Sequence, residues 1–150
     1  MLKTINTFFN LLDEKEIVYC QWKSNERLET FLQGESDLDL LFYYSDQDRV
    51  EKFFDEIGAK KFKLIQFSKY QNIIDYLQVD DQTGKIIHYH VYFKLELGEP
   101  KIKQYLIDWS DEILLNRIKH KQSGVWIASH EHELILLILR ETLRIPYLKM

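Results

Sequence analysis

Cysteine is almost missing from this chain of 150 residues, and the single Cys20 rules out an internal disulfide. Proline and glycine are scarce as well, two and five residues, which excludes collagen-like and linker-rich chains. No apolar run approaches the ~20 residues of a membrane-spanning helix. The longest, Leu134 to Leu139, has six. The N-terminal MLKTINTFF has no apolar core followed by small residues, so a secretory leader is not expected and a cytoplasmic location is. An excess of one charge is also lacking. The 20 basic and 24 acidic residues leave −4, which gives no footprint for duplex nucleic acid. What is plentiful is core material: 45% hydrophobic and 14% aromatic residues suit one folded domain over 1–150 and argue against disorder.

Periodicity sets the expected elements. Leu2, Ile5, Phe8, Phe9 and Leu12 recur at helical spacing, so the chain opens with an amphipathic helix over 2–13. Ile17 to Trp22 reads as a buried strand, and Lys23-Ser24-Asn25 offers capping chemistry for a short helix that ends before Gly34. Asp37 to Tyr44 alternates and then turns wholly apolar, the pattern of a central strand with one polar mouth. Ser45 and Asp48 resemble a capping box before the stripe Val50, Phe53, Phe54 and Ile57, which Gly58 stops. Strands are expected over 61–67, 73–79 and 85–95, the last two joined by the turn Asp80 to Gly84. In the last strand Ile87, Tyr89, Val91, Phe93 and Leu95 share the core face, and His88 and His90 lie on the other. Further on, an edge segment over 101–107, a helix capped by Ser110, a short strand over 124–128 and a helix capped by Ser129 complete the order. The fold class is therefore α/β or α+β, with a mixed, partly antiparallel sheet of four to six strands and flanking helices.

The final helix carries Leu134 to Leu139 without a polar face. Either it is deeply buried or it meets something outside this chain, through a homodimer contact or a C-terminal domain beyond Met150.

One constellation carries chemistry. Asp37 and Asp39, at i and i+2 on a strand, project from one face roughly 7 Å apart. Two like charges so placed are unfavourable unless a cation lies between them, and oxygen ligands suit Mg²⁺, with Mn²⁺ as the alternative. Lys23, Ser24 and Asn25, between a strand and a helix, offer a point charge, a hydroxyl and backbone N–H groups to phosphate oxygens. The two halves fit a nucleoside triphosphate with its metal.

These residues resemble the DNA polymerase β-like nucleotidyltransferase superfamily, whose signature is a small-residue pair followed by Asp-x-Asp on the next strand. More narrowly, Tyr19 to Asn25, Gly34 to Asp39 and His88-Tyr89-His90-Val91-Tyr92 resemble an uncharacterised nucleotidyltransferase-like group associated with bacterial surface-polysaccharide loci. The resemblance implies a nucleotidyltransferase-like core and transfer of a nucleoside monophosphate to a small acceptor such as a sugar or sugar phosphate. It makes Asp37 and Asp39 metal ligands and Ser24 a phosphate contact. Two departures stand out: Lys23 replaces the usual glycine, and the usual third carboxylate is not evident. His88 or His90 would serve as third ligand or general base, and Asp75, Asp80 or Asp81 substitutes only if the hairpin brings one near. Without a third acid the chain reads instead as a nucleotide-binding regulatory or antitoxin-like partner that has lost turnover.

The remaining candidates have plainer readings. His120, His130 and His132 look like surface or capping residues, and Glu131 and Glu133 complement a helix N-terminus. Lys101 and Lys103 are solvated lysines or phosphate contacts. Trp22, Tyr89 and Phe93 are core residues or base-stacking platforms, and Cys20 is an inert buried thiol.

Overall fold

The computed structural model describes residues 1–62, 72–98 and 105–143. The fold is mixed α+β: a seven-stranded sheet, a separate two-stranded sheet and five α-helices among the described residues. In chain order these are α1 (Lys3–Glu14), β1 (Tyr19–Gln21), α2 (Leu28–Leu32), β2 (Leu38–Phe42), α3 (Gln47–Glu56), β3 (Lys60–Phe62), β4 (Ile73–Val79) and β5 (Ile86–Tyr92). Then follow β6 (Leu95–Leu97), β7 (Tyr105–Ile107), α4 (Ser110–Leu115), β8 (Ile118–Lys119), β9 (Trp126–Ile127) and α5 (His130–Leu143).

The large sheet runs β3-β4-β5-β2-β1-β9-β8. β2 sits at its centre, as its apolar body requires. It pairs parallel with β5 and antiparallel with β1, while β4 and β5 form an antiparallel hairpin. Seven strands exceed the expected four to six: β9 falls within the strand expected over 124–128, whereas β8, only two residues long, is too short to leave a periodic signal. Leu95 leaves the β5 strand and pairs with Ile107 in the small sheet. The expected strand over 61–67 is described only to Phe62, and Lys101, Lys103, the tail after Leu143 and the rest of the expected edge segment to Gln104 lie outside the described residues.

Strand alternation divides the core in two. On one face α1, α2 and α3 cover Leu38, Leu40, Phe42, Ile87, Tyr89 and Val91. Phe8 of α1 lies 4.5 Å from Tyr89, and Phe54 of α3 stacks on Tyr76 at 4.1 Å. Such rings each contribute roughly 1.5–3 kcal/mol by burial. On the other face Cys20, Trp22, Leu41 and Tyr92 pack with Ile113 and Leu114 of α4 and Leu136 of α5. Trp22, Tyr89 and Phe93 are all buried, which makes them core residues.

Several expected caps are not made. Ser24 adopts a left-handed conformation (φ 56°) before a single 3₁₀ turn and caps nothing. Ser45 lies inside another 3₁₀ turn, and the residue ahead of α3, Asp46, makes no side-chain cap bond. Ser110 is the first residue of α4, and its hydroxyl instead accepts the Leu95 N–H at 3.2 Å. Ser129 does cap α5, accepting the His132 N–H at 3.3 Å. That helix is not deeply buried. Leu136 is covered, but Leu134, Ile135, Leu137 and Ile138 are exposed. No helix among the described residues is long and apolar enough to cross a membrane.

Candidate functional site

The second face of the sheet changes character along its central strands. Along β2 the sequence runs from buried Leu41 back to Asp39 and, just ahead of the strand, Asp37, and on β5 from buried Tyr92 back to His90 and His88. Side chains two apart share a face, so the apolar floor under α4 and α5 continues into a polar end formed by these four residues. Register adds a fifth: His90 is opposite Asp39 on β2 and opposite Asp75 on β4. The hairpin thus brings Asp75, one of the three conditional acids, into the site. Asp80 instead accepts hydrogen bonds from Thr4 (2.6 Å) and Thr83 (2.7 Å) at the turn, and Asp81 lines a hollow against α1. Neither serves the constellation.

Each carboxylate here is met by a basic group. Asp39 is nearly buried, and its Oδ1 lies 2.6 Å from Lys23 Nζ and 3.2 Å from His90 Nδ1. Burial pushes the Asp39 carboxyl up, but the His90 hydrogen bond and the Lys23 ammonium outweigh it and hold the group below the usual carboxylate range. His88 bridges two strands, with Nδ1 2.9 Å from Asp37 and Nε2 2.7 Å from Asp75. Both ring nitrogens facing carboxylate oxygens is the arrangement of an imidazolium. The Asp75 hydrogen bond, with Asp37 adding to it, raises the His88 pKa against the opposing effect of burial. His90 stacks beside His88 with ring centres 5.9 Å apart, and its Nε2 is 3.8 Å from Asp75 Oδ1, beyond hydrogen-bond reach.

Lys23 occupies a cage. Besides Asp39, its ammonium lies 5.2 Å from the Trp22 ring centre, 5.4 Å from that of Tyr92 and 3.4 Å from the Tyr92 hydroxyl. Burial lowers its pKa, and Asp39 opposes that shift. On its other side Lys23 lines a cavity of about 370 Å³ with Ser24, Glu133, Leu137 and Arg140. The Asn25 N–H, expected to await a phosphate, is donated to Glu133 Oε1 at 2.6 Å. The Asn25 side chain is buried with neither polar atom partnered among the described residues. Glu133 therefore does more than complement a helix terminus, since it ties α5 to the Ser24 loop.

The expected pair Asp37 and Asp39 does share one face, but the two differ: the Asp37 side chain is 55% exposed and that of Asp39 9%. In donor chemistry the three carboxylates suit a hard divalent cation, whereas the two imidazoles are poor ligands for Mg²⁺ and better ones for Mn²⁺ or Zn²⁺. As they stand, the chain's own basic groups satisfy them. Among the described residues no group of three or more His, Cys, Asp or Glu is arranged to hold a metal ion. The sequence left Asp75 as one of three conditional acids, and the β4–β5 register selects it. Strand alternation puts Tyr92 on the face of His88 and His90, whereas Glu133 and Arg140 left no local signal for the site, because each joins it through long-range packing. Comparison of the chain with protein-family models, with curated proteins and with solved structures returns no match.

Proposed function

We propose that this domain is a metal-dependent nucleotidyltransferase, moving a nucleoside monophosphate from a nucleoside triphosphate to a small acceptor such as a sugar or sugar phosphate. The observation that carries the reading is the row Asp39, His90 and Asp75 across β2, β5 and β4, with Asp37 and His88 beside it. Asp75 would serve as the third carboxylate that the resemblance to the DNA polymerase β-like superfamily calls for. Asp37, Asp39 and Asp75 would hold Mg²⁺ or Mn²⁺, which when bound neutralises phosphate charge along the line of displacement.

The chain's own groups do the rest. Lys23 and Arg140 present positive charge to a phosphate chain from one cavity wall, and Ser24 presents a hydroxyl. His90 is the better proton acceptor of the two histidines, because both His88 nitrogens are taken by carboxylates. A nucleotide substrate fits a cytoplasmic location. The exposed side of α5 would meet a second copy or a further domain.

The Lys23–Asp39 pair favours a second reading, in which the domain binds nucleotide without turnover as a regulatory or antitoxin-like partner. Pyrophosphate release from each of the four common triphosphates, with Mg²⁺ or Mn²⁺ and a panel of sugar phosphates, separates the two. The enzyme reading expects release that Asp37→Asn reduces to background. Nucleotide binding without release supports the second reading, and the absence of binding refutes both.

A further inference from the structure

We infer that the Lys23 ammonium is the resident cation of Asp39, so that a divalent ion reaches this carboxylate only in exchange for Lys23. The inference rests on the reading of Asp37, Asp39 and Asp75 as a cation site. It concerns how that site is kept when no metal is bound.

Three features argue that the contact is built into the fold. The ion pair is short, 2.6 Å, and both side chains are largely withdrawn from water, 17% and 9% exposed. A charge-assisted hydrogen bond in such a setting is held far more firmly than a surface pair. The ammonium also lies near two aromatic rings that reach it from different parts of the chain, Trp22 after β1 and Tyr92 at the end of β5. Finally, a buried carboxylate stripped of its partner is strongly unfavourable, so Asp39 is kept filled. Asp37 needs no such device, being half exposed to water and held by His88.

Lys23 has a second seat. Its side chain forms part of the wall shared with Ser24 and Arg140, so rotation of the flexible stem would carry the ammonium from Asp39 toward the cavity. The Arg140 guanidinium lies over the Trp22 ring at 5.9 Å and opposes the Lys23 charge. An empty cavity therefore favours Lys23 on Asp39. A polyanion there would offset Arg140 and draw Lys23 away, releasing Asp39 at the moment a metal-bearing triphosphate arrives. Anion and divalent cation then bind with positive coupling through one lysine.

The test is a Mn²⁺ titration of the full chain without nucleotide, following the magnetic-resonance signal of free Mn²⁺, for wild type, Lys23→Met, Lys23→Gln and Arg140→Met. Lys23→Met is expected to bind Mn²⁺ about tenfold more tightly than wild type. Arg140→Met removes a nearby charge but no contact with Asp39, and should gain much less. If Lys23→Met fails to melt cooperatively, Lys23→Gln, which keeps a hydrogen-bond donor for Asp39, decides by the same criterion. Equal or weaker binding by the lysine variant overturns the inference while leaving the cation site standing. An equal gain from Arg140→Met overturns it too, as a general charge effect. Binding only after Lys23 is replaced upholds the inference and removes the metal-dependent reading of the natural chain. No binding by any variant at millimolar Mn²⁺ refutes both.

Discussion

Asp39→Asn and Asp37→Asn change the same atoms two residues apart and should have very different effects on stability. At Asp39 the substitution leaves the Lys23 ammonium largely buried, 17% exposed, with its counter-charge gone. Removing one partner of a buried pair typically costs about 3–5 kcal/mol. The low end, about 3 kcal/mol, applies here because the lysine stem can turn its charge toward the cavity. For a domain of this size each kcal/mol lowers the melting temperature by about 2–4 °C, so the expected fall is roughly 6–12 °C. Asp37 is 55% exposed and its partner His88 31%, and an exposed pair contributes about 0–1 kcal/mol, or at most about 4 °C. Adding Lys23→Met to Asp39→Asn removes the orphaned charge and should restore about 2 kcal/mol, a coupling that a double-mutant cycle reads directly. The assay is circular dichroism at 222 nm on heating and in urea at constant pH. If Asp39→Asn and Asp37→Asn fall within about 1 kcal/mol of each other, or the double variant is no better than Asp39→Asn, the buried-pair reasoning is wrong. The comparison also bears on activity measurements, since loss of turnover in Asp39→Asn must be separated from unfolding, whereas in Asp37→Asn it need not be.

Three further outcomes are expected. Gly34→Ala should lower the urea midpoint by the equivalent of about 1–2 kcal/mol or more, because the glycine sits at φ +64° and an added Cβ would lie 2.7 Å from Leu2 Cδ1; a wild-type midpoint would refute both the left-handed backbone at Gly34 and its close approach to Leu2. The Asp80 carboxyl is held down to about 2, chiefly by the Thr4 and Thr83 hydroxyls. Its folded pKa is below the unfolded value, so its stabilisation is complete above about pH 4 and lost as pH falls toward about 2; Thr4→Val should flatten that dependence in melts between those limits, and an unchanged profile would refute the assignment. In α5, Leu136→Ala should cost about 2–5 kcal/mol and Ile138→Ala about 0.5 or less, since the first is 1% and the second 57% exposed, and similar losses at both would mean that the outer face is covered in solution.

How much of this could be read in the sequence depends on the reach of each interaction. α1, β4 and β5 follow from periodicity alone, because burial on one face imposes a period of 3.6 or 2 whatever the partner is. The β4–β5 hairpin was legible, but its register was not. Counted from the expected turn Asp80 to Gly84, with Lys85 opposite Val79, Asp75 falls opposite Tyr89; the pair closing the hairpin is Val79 and Ile86, and that one-residue difference sets Asp75 opposite His90. Antiparallel pairing makes register a matter of arithmetic only once the closing pair is known. The caps expected at Ser24, Ser45 and Ser110 failed for a different reason, while that at Ser129 is made. A serine before a helix advertises its hydroxyl but not its backbone angles, and Ser24 at φ 56° cannot place the hydroxyl where a cap requires it.

The Lys23–Asp39 pair lies beyond either kind of reading. It needs β1 and β2 to pair antiparallel, with Gln21 opposite Leu40, so that the residues following β1 reach the mouth of β2. It also needs Trp22 and Tyr92 buried together beside it, with ring centres 5.1 Å apart. From the sequence, two nearby carboxylates imply a cation and leave its identity open. The fold supplies one candidate from within the chain, held at 2.6 Å in an aromatic cage. The like-charge argument that pointed to a metal is therefore met at Asp39 by an ammonium, and at Asp37 and Asp75 by the His88 ring, whose pKa the two carboxylates raise. A divalent ion that binds here must outcompete groups already in place, and its affinity measures that exchange as much as the donor set.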